Sequence, residues 1–230
     1  MSLTYAIADL HGRFDLLREA MFQIDKHANL RPFKIITLGD YIDRGPDSAR
    51  IISYLWGRQN TGEPLICLKG NHEAMMVETI RKPLHPDWWI GNGGAQTLIS
   101  YGHNPKGAYD PTVVPKEHLD WINNLPIMHV DQHRVYVHAW VDSSVPLDKQ
   151  KEDLVLWNLY PSHARYGHRL TGRHVVHGHD QHEDGPKLYP GRTNLDTLAW
   201  CTGRLVIGVF DDDKAGGPID TIEIKLEPMK

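Results

Sequence analysis

The first third of the chain alternates between short apolar runs and longer stretches with helical periodicity. Residues 4–8, 33–38 and 64–69 are rich in β-branched and other apolar side chains, which predicts three short buried strands. Apolar residues recur at helical spacing over residues 13–28, and Pro46-Asp47-Ser48 is a typical helix start. Strands that alternate with helices in this way predict a parallel sheet with right-handed crossovers.

The middle of the chain is dominated by helical patterns. Residues 72–81, 88–101 and 116–124 are expected to contain helices. The apolar runs 127–130 and 135–138 are separated by a short polar segment, which predicts a β-hairpin.

The C-terminal third contains one long polar stretch and then several strand-like runs. Residues 141–172 are polar and irregular, so we expect a loop region that covers the functional site. The strand-like runs are residues 174–177, 193–196, 205–210 and 219–226. A parallel half followed by a strand-rich half predicts an α/β protein (α+β in some schemes) in which two sheets pack face to face, with helices outside.

Each of the three N-terminal strands is followed by a loop in which potential metal ligands stand beside glycine. The loops are Ala8-Asp9-Leu10-His11-Gly12, Gly39-Asp40-Tyr41-Ile42-Asp43-Arg44-Gly45 and Gly70-Asn71-His72-Glu73. Asp9, Asp40 and Asn71 follow one another at equal intervals of 31 residues, about one strand–helix–strand repeat. We therefore expect the loops to meet at one edge of the sheet and to form a metal site there.

The side chains of these loops can hold two cations. Asp9 and His11 point to the same side if the strand continues through them, so they can bind one ion together. Asp40 can bridge to a second ion because a carboxylate has two oxygens. Asn71 offers that second ion a carbonyl oxygen.

Two further imidazoles are needed to complete the second ion's ligands. The candidates are His138, at the end of an apolar run, and the His177-Gly178-His179 segment. Oxygen and nitrogen ligands without thiolates favour Mn, Fe or Zn. Two such ions, about 3.5–4 Å apart, polarise a phosphoryl oxygen and acidify the water between them.

Other side chains of the same loops suit in-line attack on phosphorus. His72, next to Asn71, is placed to donate a proton to the leaving oxygen, and Asp43 can accept from its other ring nitrogen and raise its pKa. Arg44 offers a bidentate fork for the phosphate. Glu73 is expected to hydrogen-bond the loop backbone and to take no part in catalysis.

At these residues the chain resembles the phosphoprotein phosphatase family of calcineurin-like metallophosphoesterases, in its short bacterial and phage serine/threonine phosphatase branch. The family's motifs GDxHG, GDxxDRG, GNHE, HAG and GH occur in this order, and the chain matches nearly all of them between residues 9 and 179. The resemblance implies the metal ligands Asp9, His11, Asp40, Asn71, His138 and His179. His179 takes the last role because Gly178 precedes it as in the motif, and His177 is the alternative.

The same resemblance implies the fold and the reaction. It implies one metallophosphoesterase domain over residues 1–230, a four-layer αββα sandwich of two mixed sheets flanked by helices, with the di-metal site at the carboxyl ends of the strands. It implies two divalent ions per chain, with Mn²⁺ favoured over Fe or Zn. The implied reaction is hydrolysis of phosphomonoesters, as on phosphoserine or phosphothreonine, by direct attack of a metal-bound hydroxide. His72, Asp43 and Arg44 are then catalytic, and Arg44 binds the substrate phosphate.

The chain departs from the family pattern at four positions. Ala8 replaces the glycine of the first motif, a change from one small residue to another. Trp140 stands where the family has glycine, which places a large ring near the metals. Leu159 stands where the family usually has a second phosphate-binding arginine, and Arg165 or Arg169 is a candidate replacement. Leu198 also replaces a glycine. The departures at Trp140 and Leu159 leave the substrate open, whereas Leu198 bears only on the backbone.

Two other functions fit the same motifs. Symmetrical dinucleoside tetraphosphate (Ap4A) hydrolases share almost all of them. Trp88, Trp89 and Trp140 are candidates for stacking on a base, although packing is the role we expect first. A metal-binding regulatory protein without catalysis would also keep the ligands. Leucine at position 159 is the feature that supports this last hypothesis, and the retained His72 and Asp43 argue against it.

The composition limits the classes of partner and the cellular compartment that we expect for this protein. The 230 residues are 40% hydrophobic and 23% charged, and a net charge of -4 without a Lys/Arg run gives no footprint for nucleic acid. We find no apolar stretch of about 18 residues and no signal peptide, so we expect a cytoplasmic protein without membrane contact. Cys67 and Cys201 are expected to be buried, reduced thiols. The expected partner is a phosphorylated protein or peptide or a small phosphoester, and the oligomeric state is open.

Overall fold

The computed structural model describes residues 2–82 and 86–229, and within these ranges the chain forms ten strands and eight α-helices. The strands are β1 (Leu3–Ile7), β2 (Phe33–Thr37), β3 (Leu65–Cys67), β4 (Met128–Val130), β5 (Arg134–Val137), β6 (His174–His177), β7 (Lys187–Leu188), β8 (Arg192–Asn194), β9 (Arg204–Asp211) and β10 (Asp220–Lys225). The helices are α1 (Phe14–Ala28), α2 (Ser48–Asn60), α3 (Asn71–Arg81), α4 (Pro86–Trp89), α5 (Ala95–Ser100), α6 (Lys116–Asn123), α7 (Glu152–Trp157) and α8 (Ala199–Thr202). None of these helices is long and apolar enough to cross a membrane.

The strands form two mixed sheets. The first has the order β10-β9-β1-β2-β3, with β1, β2 and β3 parallel and with β9 and β10 antiparallel. The second has the order β4-β5-β6-β8-β7, with a parallel centre and an antiparallel strand at each edge. This arrangement confirms the predicted fold of two mixed sheets flanked by helices, and the pairing of β4 with β5 confirms the predicted hairpin.

The two sheets do not correspond to the two halves of the chain. β9 and β10 come from the C-terminal end, yet they extend the first sheet beyond β1. The physical reason is visible in β9, where residues 205–211 are all buried. A strand buried along its whole length needs a neighbour on both edges, and β9 finds them in β1 and β10.

The short elements of the C-terminal half were not predicted. α7 lies inside residues 141–172, which the sequence pattern presents as irregular, and α8 and β7 are also absent from that pattern. Helices of four to six residues do not complete two turns, so they leave no helical period in the sequence. A strand of two residues, such as β7, likewise shows no alternation.

Alternation along β1 explains how the layers are held together. Leu3, Tyr5 and Ile7 face the helices α1 and α2, while Ala6 faces the second sheet. The core between the sheets consists of Ala6, Ala8, Ile36, Leu38, Leu68, Tyr136, Val176, Leu195 and Phe210. A third cluster on the outer face of the second sheet packs against α7 and includes Val135, Val175 and Val155. The order is therefore helices, sheet, sheet, and then α7 with its loops.

Leu198, which precedes α8, has a left-handed backbone with φ of +55°. That conformation costs a residue with a Cβ about 1 kcal/mol, and glycine avoids the cost. We compare Leu198→Gly with Leu198→Ala, because both remove the leucine side chain and only glycine relieves the backbone. The glycine variant is expected to be about 1 kcal/mol more stable in chemical denaturation.

The matched control is Phe22, an exposed residue within α1. There the order should reverse, with the alanine variant about 1 kcal/mol more stable than the glycine variant. Alanine being the more stable residue at position 198 as well would show that the left-handed backbone stores no strain.

Candidate metal centre

The loops after β1 and β2 are joined through their backbones. The N–H groups of Leu10 and His11 both donate to the carbonyl oxygen of Asp40, at 2.9 and 2.8 Å. The N–H of Gly45 donates back to the carbonyl of His11 at 3.0 Å. A Cβ on Gly45 would lie 2.2 Å from that carbonyl oxygen, so only glycine permits this approach.

Glu73 ties the loop after β2 to the loop after β3. Its buried carboxylate accepts hydrogen bonds from the backbone N–H groups of Asp40, Tyr41 and Gly70, at 2.8, 2.9 and 2.9 Å. Burial and the neighbouring Asp40 raise the pKa of Glu73 to about 8, against the pull of the three N–H donors. The structure therefore gives Glu73 the backbone-binding position expected from the sequence.

Five of the predicted site residues have left-handed backbones, with φ between +41° and +71°. They are His11, Asp40, Asp43, Arg44 and His179. Residues other than glycine adopt this conformation at a cost, and such strain concentrates at functional sites where the surrounding hydrogen bonds maintain it.

Asp40 lies between two groups of potential ligands. One group is His11, Asp40 and His72, and the other is Asp40, His138 and His179, each with ligand atoms within 4.8 Å of one another. The two carboxylate oxygens divide between the groups, because Oδ2 is 3.4 Å from His11 Nε2 and Oδ1 is 3.5 Å from His138 Nε2. This is the arrangement that a carboxylate needs to bridge two cations.

His11, of the first group, and His138, of the second, present unprotonated nitrogens to the site. His11 and His138 each bond a backbone carbonyl oxygen through Nδ1, at 2.8 and 2.9 Å, which places the proton there and leaves Nε2 as a ligand atom. Burial lowers the pKa of His138 to about 4 and that of His11 well below its usual value. Both rings are therefore neutral near pH 7, as metal binding requires.

Asn71 adds an oxygen to the second group. In the orientation shown, its Oδ1 lies 2.9 Å from His138 Nε2 and 3.2 Å from each oxygen of Asp40. All these atoms carry lone pairs and none supplies a proton. Turning the amide nitrogen inward satisfies them, and so does a cation placed among them. The donor set thus fits a divalent ion.

Asp9 enters the site from the end of β1. Its Oδ1 accepts from the backbone N–H of His179 at 3.2 Å, and its Oδ2 is buried without a hydrogen-bond partner. Burial, Asp196 and Asp40 together raise the pKa of Asp9 well above its usual value. A buried carboxylate oxygen with no donor is costly unless a cation faces it, so this atom also fits a metal ligand.

The buried Asp196 is a site residue that the sequence reasoning did not identify. Burial, with Asp40 adding to the effect, raises its pKa to about 7, and its Oδ2 has no hydrogen-bond partner. The available signal was its position at the end of a predicted strand, as for Asp9 and Asp40. It was overlooked because no second ligand type accompanies it in the sequence.

His72, Asp43 and Arg44 are brought together as predicted. His72 Nδ1 is 2.7 Å from Asp43 Oδ2, and a guanidinium nitrogen of Arg44 is 3.2 Å from His72 Nε2. Burial lowers the pKa of His72, but the carboxylates of Asp40 and Asp43 outweigh it, and the net effect is a raised pKa. The two carboxylates thus favour the protonated form that a proton donor needs, whereas the Arg44 guanidinium, which can only donate, disfavours it.

Asp43 is held by residues from the α4–α5 region. Trp89 is fully buried, and its Nε1 donates to the two oxygens of Asp43 at 3.1 and 3.0 Å. Thr97 Oγ1 donates to the same carboxylate at 2.7 Å. The structure therefore places Trp89 in support of Asp43 and away from any base-stacking position.

The two histidines of the His177-Gly178-His179 segment have different surroundings. His179 Nδ1 is 3.2 Å from His138 Nε2, within the second ligand group. His177 points into the interior, where its Nε2 accepts from Arg192 at 2.9 Å. Geometry favours His179 as the ligand.

Neither candidate for the missing arginine is placed beside Arg44 in the described contacts. Leu159 is exposed, Arg165 packs on the ring of Tyr189, and Arg169 packs on the ring of Tyr166. Trp140 is half-buried, with its ring tilted against Tyr160 at a centroid distance of 6.3 Å.

A family model described as calcineurin-like phosphoesterase matches residues 3–198. The chain belongs to the calcineurin-like phosphoesterase family. This match confirms the resemblance drawn from the motifs, and it makes the protein a member of a family of hydrolases.

Curated relatives of this phosphoesterase carry two kinds of name. "Serine/threonine-protein phosphatase 1" of Salmonella typhimurium is 29% identical over 161 residues, which cover 67% of each chain. "Serine/threonine-protein phosphatase 2" of Escherichia coli is 31% identical over 91 residues, or 39% of this chain and 38% of that one. "Bis(5'-nucleosyl)-tetraphosphatase, symmetrical" of Pseudomonas fluorescens is 27% identical over 154 residues, or 64% of this chain and 44% of that one.

The chain therefore spans between 38% and 67% of the length of these relatives. A solved structure of a putative diadenosine tetraphosphatase superposes with a TM-score of 0.59 at 20% identity, covering 96% of this chain and 92% of that one. At this identity the superposition shows a shared fold alone.

The burial of His177 makes stability depend on pH. Burial and Arg192 lower its pKa to about 3 from the usual 6.5, so below pH 6.5 the unfolded chain binds the proton and the folded chain does not. The contribution to stability is complete above pH 6.5 and is lost as the pH falls toward 3, at up to about 1.4 kcal/mol per pH unit. His177→Gln keeps an acceptor for Arg192 and does not titrate.

We therefore expect the free energy of unfolding of His177→Gln to fall less steeply than that of the wild type between pH 6 and pH 4, in chelator-treated protein. The exposed His163→Gln serves as a control and should follow the wild-type slope. Equal slopes for all three proteins would show that His177 binds its proton in the folded state.

Proposed function

We propose that this phosphoesterase uses two divalent metal ions to hydrolyse phosphomonoesters, and that it is a serine/threonine protein phosphatase. The observation that carries the proposal is the position of Asp40, whose Oδ2 faces the neutral ring of His11 and whose Oδ1 faces the neutral ring of His138. We further propose that residues 1–230 form one metallophosphoesterase domain. Cys67 is buried as expected, but Cys201 is exposed, so the prediction that both thiols are buried is wrong for Cys201. Both thiols are unpaired, which supports a reducing compartment, and we propose the cytoplasm.

The proposed ligands divide into two sets that share one carboxylate. Asp9, His11 and Asp40 would hold one ion, and Asp40, Asn71, His138 and His179 would hold the other. Two divalent ions, when bound, polarise a phosphoryl oxygen and lower the pKa of water. Because the donors are oxygen and imidazole nitrogen without thiolates, we propose Mn²⁺, with Fe and Zn as the alternatives.

The side chains of the chain itself supply the proton and hold the phosphate. As an imidazolium, His72 donates from Nδ1 to Asp43 at 2.7 Å and has a second proton, on Nε2, for the leaving oxygen. The guanidinium of Arg44, which lies 3.2 Å from Nε2, would then turn from this nitrogen to the phosphate. Asp43 fixes the ring orientation and favours the imidazolium, and Trp89 fixes Asp43. Arg44 reaches toward both His11 and His72, at 2.8 and 3.2 Å, so its fork can bind the phosphoryl oxygens between them.

His72→Asn tests the assignment of the proton donor. Loss of general acid catalysis is expected to lower kcat for p-nitrophenyl phosphate by about 100-fold or more in the presence of Mn²⁺. The exposed His163→Asn is the matched control and should keep the wild-type rate. Undiminished turnover in His72→Asn would show that His72 is not the proton donor.

Chelation by EDTA should abolish activity, and added Mn²⁺ should restore it. Absence of p-nitrophenyl phosphate hydrolysis with Mn²⁺ at every pH from 5 to 9 would contradict the proposed function as a whole.

Hydrolysis of symmetrical dinucleoside tetraphosphates is the second candidate, favoured by the similarity to a symmetrical bis(5'-nucleosyl)-tetraphosphatase. The two candidates are separated by comparing phosphate release from a phosphoserine peptide with ADP release from diadenosine tetraphosphate. We expect the phosphopeptide to give the higher kcat/KM. Faster release of ADP would select the dinucleotide instead.

A further inference from the structure

Two large aromatic side chains stack on each other at the protein surface. Trp88, from α4, and Trp157, at the end of α7, have ring centroids 5.7 Å apart and planes inclined by 23°. They are 50% and 38% exposed. A stacked pair of half-exposed tryptophans keeps apolar surface in water, and such surface is characteristic of binding sites.

The tryptophan pair lines a cleft of about 180 Å³ with acidic walls. Glu78 of α3 and Glu152 and Asp153 of α7 line it, and all three are exposed. No Lys or Arg occurs among the described lining residues, although Lys69 bonds Glu152 at 3.2 Å. We call this site the tryptophan–acid cleft.

The tryptophan–acid cleft adjoins the candidate metal centre. The backbone carbonyl oxygen of Trp157 is 3.3 Å from His179 Nε2. On the other side, α3 begins at Asn71, and Ala74 and Glu78 of the same helix line the cleft. Glu78 is seven residues beyond Asn71, about 10 Å along the helix axis. A bound molecule can therefore reach from one site to the other over about three residues of extended peptide.

We propose that the tryptophan–acid cleft binds an arginine or lysine side chain of a phosphopeptide, about three residues from the phosphorylated residue. This inference rests on the proposed phosphatase function and specifies its substrate. A guanidinium can stack on the outer face of an indole while its N–H groups pair with the carboxylates of Glu78 and Asp153. The cleft thus provides both interactions that a cationic side chain uses.

The charge of the cleft disfavours the dinucleotide as its occupant. An adenine base can also stack on an indole, but the polyphosphate would follow it to within reach of three carboxylates. The exposed acids would repel that chain over the Debye length of about 8 Å at physiological ionic strength. A basic peptide is attracted by the same charges.

The test uses phosphoserine peptides that differ at one position, with Arg, Ala or Glu placed three residues before or three residues after the phosphoserine. The peptides form two series, one varied before and one varied after the phosphoserine. In one of the two series we expect the Arg peptide to have a kcat/KM about tenfold above that of the Ala peptide, and the Glu peptide to be the poorest substrate. The Arg-to-Ala ratio should fall as salt is raised, because the carboxylates are exposed.

Three variants connect that ratio to the cleft. The double variant Glu78→Gln with Asp153→Asn should reduce the ratio to about twofold, since both carboxylate partners are lost. Trp88→Ala should also reduce it, since the stacking surface is lost. Asp213→Asn removes the same charge from the exposed turn between β9 and β10, at the opposite end of the first sheet, and should leave the ratio unchanged.

The outcomes separate the cleft from the catalytic proposal. If phosphopeptides are hydrolysed without any Arg preference, or if the preference persists in the double variant, the proposed role of the cleft is wrong. The proposed phosphatase function is not affected by that result. If diadenosine tetraphosphate is turned over faster than the phosphopeptide, and if Trp88→Ala lowers that turnover, the occupant of the cleft is a nucleotide and not a basic peptide. If p-nitrophenyl phosphate is not hydrolysed, the phosphatase fails. Tryptophan fluorescence during titration with the Arg peptide then still reports whether the cleft binds it, and an unchanged signal overturns the cleft as well.

Discussion

The buried carboxylate of Asp40 is the interaction on which the site depends. Burial alone would raise its pKa, but the imidazoles of His138, His72, His11 and His179 lower it whenever they are protonated, and the net pKa lies below the ordinary range. The backbone N–H of His72 also donates to its Oδ1 at 3.1 Å, so the group is a negative charge inside the protein. The carbonyl oxygen of Asp40 accepts two N–H groups of the first loop, and its N–H donates to Glu73. One residue therefore organises the backbone of three loops and the charge of both ligand groups.

Much of the site could be predicted from the sequence because its ligands lie at strand ends. The equal spacing of Asp9, Asp40 and Asn71 corresponds to strand–helix–strand units, and parallel strands bring their carboxyl ends to the same edge. His138 could be predicted as a ligand for the same reason, because it follows β5 directly. Local strand and helix patterns and the parallel pairing of strands determine these positions, and both can be recognised in the sequence.

Other features depend on contacts between distant segments, which leave no such traces. Trp89 supports Asp43 across 46 residues, and Asp196, from the loop after β8, lies near enough to Asp9 to raise the pKa of that carboxyl. The return of β9 and β10 to the first sheet is decided by which edge is free. α7 is too short to show a period, yet it places Trp157 beside His179 and so shapes the entrance to the site.

The central claim is that one carboxylate bridges two metal ions, and electron paramagnetic resonance of the Mn²⁺-loaded protein tests it most directly. Together with elemental analysis, the account predicts two Mn²⁺ per chain with a spin-coupled spectrum, because ions that share a carboxylate lie within about 4 Å of each other. In Asp40→Asn the coupling should be lost. A wild-type protein that binds a single ion, or two ions with uncoupled spectra, would contradict the account.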